Sequence, residues 1–152
     1  MDQWRRVLIR VESEAAEERM NLSVPGEALM GKNRSGETMV RLRWTECLEE
    51  DSGFSQETHA ALQARNGHAM MQRKGPYAVS MAFVPGESKE TVYRTPYGEI
   101  PVVVCAESVS LTALPGGGEV SLAYGLQIQG GPEDRRRMKL TWRWADADAG
   151  ES

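Results

Sequence analysis

Few side chains in this sequence are of the types that do chemistry, and their spacing leaves them little to do. Histidine occurs only at His59 and His68, and cysteine only at Cys47 and Cys105. A hydrolytic triad joins a Ser or Cys nucleophile to a His base and an orienting acid, yet no G-x-S-x-G elbow presents a serine. The two histidines flank Asn66-Gly67, a strong hairpin signal, because Asn and Gly best tolerate the positive φ of a type I′ turn. Across that turn position 59 pairs near position 74, so the histidines need not meet and read as surface groups. Zinc requires three or four converging N, S or O ligands, and neither C-x-x-C nor H-x-x-x-H occurs. No metal, cofactor or catalytic residue is expected. Glu49-Glu50-Asp51 reads as a solvated turn rather than a calcium site. Gly116-Gly117-Gly118 lies between two strands as a hairpin tip would, whereas phosphate cradles open a helix. Arg135-Arg136-Arg137 could meet an anion, but it starts a strand after a turn and is expected in solvent.

Arg73 is the residue to watch. It shares an alternating face with Ala69 and Met71. If that face turns inward, a buried guanidinium must find an internal Glu or Asp or an anionic ligand, because an unpaired buried charge is very costly. In the opposite register it is an ordinary exterior residue. Tyr93, Arg94 and Tyr97 lie in an adjacent segment, so Arg73, Tyr93, Arg94 and Tyr97 form the candidate ligand-binding set.

The elements that must hold these residues are strands. Apolar and polar residues alternate with a period of two, the main strand signal. Val7, Ile9 and Val11 share one face; so do Val40, Leu42 and Trp44, and Thr58, Ala60 and Leu62. Val120, Leu122, Tyr124, Leu126 and Ile128 form another such row, and Met138, Leu140, Trp142 and Trp144 a further one. Turn chemistry separates the runs at 33–36, 50–53, 66–67, 85–86, 115–118 and 130–134. The spacing predicts about eight to ten strands, approximately 1–13, 22–32, 37–48, 55–65, 68–74, 77–84, 89–95, 98–112, 119–130 and 135–145. The Ala- and Glu-rich stretch at 14–20 is too short for an isolated helix and reads as a strand end plus a turn. Thr95-Pro96-Tyr97-Gly98 is a corner: Pro96 fixes φ and biases Thr95 to extended geometry, Gly98 permits positive φ, and Tyr97 can fold its ring over the adjoining strand. Pro101 belongs at a strand start or on a bulge. Short hairpin connections favour one closed antiparallel meander barrel, all-β, over 1–145, followed by an acidic tail at 146–152. Closure removes the unpaired edges that invite aggregation.

Composition narrows the function classes. One domain of 152 residues buries a sizeable core. A formal net charge of −4 argues against nucleic acid as a partner, since such binders gain affinity by neutralising phosphates. No apolar run approaches a membrane span, so no membrane partner is expected. The opening apolar run ends at Arg10, short of a signal segment, and two cysteines suit a reducing compartment; the cytoplasm is the expected location.

The segment MMQRKGPYAVSMAFVPGESKETVYRTPYGEIPVVV, 70–104, carries an Arg-x-Gly step at Arg73 to Gly75, a Phe-x-x-Gly turn at Phe83 to Gly86, and Thr-Pro-Tyr-Gly before a long strand. In that order and spacing it resembles the YwiB-like family of small bacterial calycin-like β-barrel proteins. The likeness extends to the strand VLIRVES and the alternating strand at 119–129, and is least in the N-terminal third around Pro25. The resemblance implies a lipocalin-like antiparallel barrel and brings no activity with it. The leading expectation is a cytoplasmic barrel binding a small apolar or amphipathic ligand in its interior, without catalysis. The alternative is a protein-interaction or homodimerisation module with a packed barrel, marked by exterior Met39, Met70 and Val103. An enzyme activating an anion through Arg73, Tyr93 and Arg94 ranks third.

Overall fold

The computed structural model describes residues 3–16, 18–49 and 55–145. Ten strands follow one another: β1 Arg5–Ala15, β2 Arg19–Lys32, β3 Thr38–Glu49, β4 Ser55–Arg65, β5 His68–Lys74, β6 Val79–Phe83, β7 Ser88–Thr95, β8 Gly98–Leu114, β9 Gly117–Ile128 and β10 Asp134–Trp144. Their order in the sheet is β6-β5-β4-β3-β2-β1-β10-β9-β8-β7, with every neighbouring pair antiparallel. The chain is all-β, as the alternation predicts. No helix among the described residues is long and apolar enough to cross a membrane. The expected tail at 146–152, and Glu50-Asp51 of the acidic run, lie outside the described residues.

The sheet curls until its two ends meet. Ala78, just before β6, and Arg94 on β7 exchange backbone hydrogen bonds of 2.9 and 2.8 Å, and Thr91 Oγ1 donates to Ser80 O at 2.7 Å. The result is a nearly closed meander barrel with a narrow seam between β6 and β7. At one end the β4–β5 turn folds across to β8: Gly67 N donates to Val109 O at 3.1 Å, and Leu111 N donates to Asn66 Oδ1 at 2.7 Å. Gly86 N bonds Ala106 O nearby. The other end carries the β1–β2, β5–β6, β7–β8 and β9–β10 connections and forms a mouth.

The inward rows are those the alternation marks. Ile9, Leu42, Leu62, Met71, Phe83, Val104, Val120, Leu140 and Trp142 are essentially sealed from solvent. Phe83 meets Tyr124 edge-to-face at 5.0 Å between ring centres, the arrangement aromatic quadrupoles favour. Two glycines stand where no side chain fits. A Cβ on Gly118 would collide with the Trp142 ring, and one on Gly26 would come 2.6 Å from Arg43 O and 2.5 Å from Ile9 Cδ1. One strand changes its inward parity. On β8 Val102, Val104 and Ala106 are buried, then Val109 and Leu111; the register shift between Ala106 and Ser108 absorbs the extra residue, as a β-bulge does.

Some boundaries differ from expectation. β2 begins at Arg19 and β8 runs to Leu114, because hairpin pairing extends both strands beyond their clearly apolar positions. The β1–β2 turn is closed by Ala15 N donating to Glu18 O at 2.9 Å.

Candidate functional site

Hydrophobic packing stops short of the mouth and leaves a cavity of about 470 Å³. Its walls are apolar: Val11 of β1, Leu22 of β2, Val79 and Met81 of β6, Val102 of β8 and Leu126 of β9. Its polar groups are few and come from separate arcs of the barrel. Tyr77 and Tyr93 stand together with ring centres 6.2 Å apart, Tyr124 reaches in from β9, and two arginines, Arg73 and Arg136, contribute charge.

Each arginine has a carboxylate beside it. Arg73 on β5 is inward, continuing the row of Ala69 and Met71, and its side chain is only 26% exposed. Its terminal nitrogen lies 3.4 Å from Glu46 Oε1, and the Glu46 side chain is 19% exposed. The same oxygen accepts the Trp44 indole N–H at 3.0 Å. A second Arg73 nitrogen rests 3.6 Å from Met71 Sδ. Across the mouth, Arg136 Nε donates to Asp134 Oδ2 at 2.9 Å, with a terminal nitrogen also 2.9 Å from that oxygen. Arg136 is the direct cross-strand neighbour of Tyr124. Burial pushes the Tyr124 hydroxyl above the ordinary tyrosine value of 10.0; the charges of Arg136 and then Arg73 pull it back, and Asp134 adds a further push up. The phenol is therefore a neutral donor at physiological pH, lying in the field of both guanidinium groups.

Residues 7–140 match the family model described as domain of unknown function, DUF1934. The chain belongs to the DUF1934 family. No curated relative matches it. The crystal structure of the YwiB protein from Bacillus subtilis superposes on it with a TM-score of 0.72 at 19% identity, covering 95% of this chain and 93% of that one. At that identity the likeness concerns the fold alone, and the YwiB-like barrel implied by the 70–104 motifs is the one observed.

Of the four residues singled out in sequence, the DUF1934 barrel brings Arg73 and Tyr93 into the mouth. Arg94 and Tyr97 are not among the residues lining it. Arg94 alternates to the exterior side of β7, and Tyr97, at the tip of the β7–β8 corner, is 91% exposed. The corner is built as expected otherwise: Thr95 Oγ1 donates to Gly98 O at 2.9 Å and accepts from Tyr97 N at 3.1 Å, with Gly98 at φ 137. The packed tyrosine ring is the part that fails, because these bonds fix the turn without help from the side chain. The Arg135–Arg137 run also departs from its solvated reading. Arg135 and Arg137 are exposed, while Arg136 takes the inward parity of Met138 and Leu140. Glu46, Tyr77, Tyr124 and Arg136 line the mouth and were missed by sequence reasoning, with Asp134 behind Arg136. Parity carried a signal for three of them, Glu46 in step with Leu42 and Trp44, Tyr124 with Val120 and Leu122, and Arg136 with Met138 and Leu140, but not for their convergence.

The histidines stay outside. His59 shares a hydrogen bond with Thr45 Oγ1 at 3.3 Å on the exterior of β3 and β4, beside a wide groove over β2 to β5. His68 starts β5 at the opposite end from the mouth. That exterior groove is larger than the mouth, but it is a shallow trough lined by Glu27, Arg43, Gln72 and Lys74, a solvated face rather than an enclosure.

Proposed function

We propose that this protein is a cytoplasmic, lipocalin-like carrier that takes a small amphipathic molecule into the barrel mouth and performs no chemistry on it. One observation carries the reading: side chains pack the body of the barrel but leave its mouth end unfilled. A cavity of about 470 Å³, apolar on its walls with a few converging polar groups, is the usual build of a small-molecule site. Barrels of this kind are wide enough to hold one small ligand. The free thiols Cys47 and Cys105 suit the reducing compartment assumed here.

The interaction-module alternative has less support. Met39, Met70 and Val103 sit on β3, β5 and β8, strands that are not neighbours in the sheet, so they offer no single apolar patch of the size that marks an interface. Native mass spectrometry of protein purified gently from its own host tests the carrier reading. The expected spectrum contains a bound small molecule that leaves on collisional activation; repeated preparations at the bare chain mass would remove the proposal.

A further inference from the structure

We infer that the guest of the mouth carries a single negative charge, a carboxylate or its like, held between Arg73 and Arg136 across the Tyr124 hydroxyl. This rests on the carrier reading and adds the charge and the anchor. The two arginines stand on β5 and β10 and face one cavity from different arcs of the barrel. A guanidinium has five N–H donors. Arg73 directs two of its nitrogens at long contacts, 3.4 Å to Glu46 and 3.6 Å to a methionine sulfur. Arg136 aims two nitrogens at one oxygen of Asp134. Both cations thus carry more donors than these contacts occupy, in a partly open cavity with largely apolar walls where hydrogen bonds to charge are stronger than in water. Glu46 Oε1 already accepts from Trp44 and Arg73, and Asp134 Oδ2 from Arg136.

The sign and magnitude of the guest's charge follow. Unspent donors and a neutral phenol favour an acceptor, so an anion fits better than a cation. The charged residues lining the cavity, Arg73 and Arg136 against Glu46, leave one excess positive charge, which matches a monoanion and falls short of a dianion such as phosphate. Size follows from volume: at about 30 Å³ for each heavy atom, the share a water molecule takes in the liquid, the cavity holds about 15. A medium-length alkyl carboxylate meets all three conditions.

Isothermal titration calorimetry with decanoate, decanol and decyltrimethylammonium, each below its aggregation threshold, tests this on the full chain. Decanoate should bind about tenfold or more tighter than decanol, the value of one charge-assisted hydrogen bond, and decyltrimethylammonium weakest. Arg73→Gln and Arg136→Gln should each lose about that factor for decanoate and keep decanol affinity, whereas exterior Arg41→Gln should change neither. Thermal melts identify any variant that does not fold; the two arginines are on separate strands, so each reports independently. Equal binding of decanoate and decanol, or undiminished decanoate binding in the folded arginine variants, overturns the clamp and leaves the carrier reading standing. Binding of none of the three probes overturns both.

Discussion

At the scale of single residues, the most consequential atom is Glu46 Oε1, which accepts from both Trp44 and Arg73. Truncating it leaves two largely buried donors without that acceptor, and an unmet buried donor costs about 1–3 kcal/mol. Glu46→Ala should therefore lower the urea midpoint by that order, and adding Arg73→Met should recover part of the loss by removing the stranded charge. Strictly additive losses in that cycle would show that the pair is not coupled. Tyr124 makes a second prediction. Its proton is held more tightly in the fold than the ordinary value of 10.0. The associated stability is present in full below that value and is lost as pH rises through the raised folded value. As pH rises past the ordinary value of 10.0 the wild type should lose more stability in denaturant titrations than Tyr124→Phe, which has no proton to release. Parallel pH profiles would contradict this. Neither residue announces itself in the sequence. Tyr124 reads as one more apolar member of a strand row, and Glu46 as part of an acidic run, because a side chain's partners on distant strands become visible only once the barrel is closed.

At the scale of elements, the strands were legible because each has one dry and one wet face, and a period of two records that directly. Where both faces look alike, direction was not legible. Met70 and Met71 are neighbours of the same type on β5, so composition alone leaves open which one goes inside; pairing to β4 and β6 puts Met71 in the core and carries Arg73 with it. The β8 bulge was hidden for the opposite reason. The row Val102, Val104, Ala106 and the row Val109, Leu111 each look regular, and only their mismatch of parity marks the shift at Ala106/Ser108. Gly26 belongs to this scale too. It pairs with Val7 and Trp44, and a methyl group there would press on the Arg43 carbonyl, which its strand holds in place. Gly26→Ala should cost about 1–3 kcal/mol, the usual penalty of overpacking, read as a fall in the thermal midpoint. An unchanged midpoint would mean that β2 and β3 separate more easily than this packing implies.

At the scale of the molecule, the barrel is continuous everywhere except between β6 and β7, where the paired residues are Ala78 and Arg94. Because Ala78 points its backbone groups at β7, so do Ser80 and Ala82, whereas the intervening residues of β6 bond to β5. Hydrogen exchange should find the Ser80 and Ala82 amides opening well before those of Ile9 and Leu140, which sit in the middle of the β1–β10 ladder. Uniform protection around the ring would show that the seam is as firm as any other junction. The strong hairpin turns explain why so much of this architecture could be read in advance: a meander places each strand beside the next, so local turn signals already dictate most of the neighbour relations. The β1–β10 ladder, which pairs strands from opposite ends of the chain, is the one junction that no local turn signal encodes. With its base stitched by Asn66 and Gly67 to β8, the vessel cannot widen from below. Any stretching to admit a larger cargo must therefore unzip along one line of the wall, which makes that line, and not the rim alone, the place where capacity is decided.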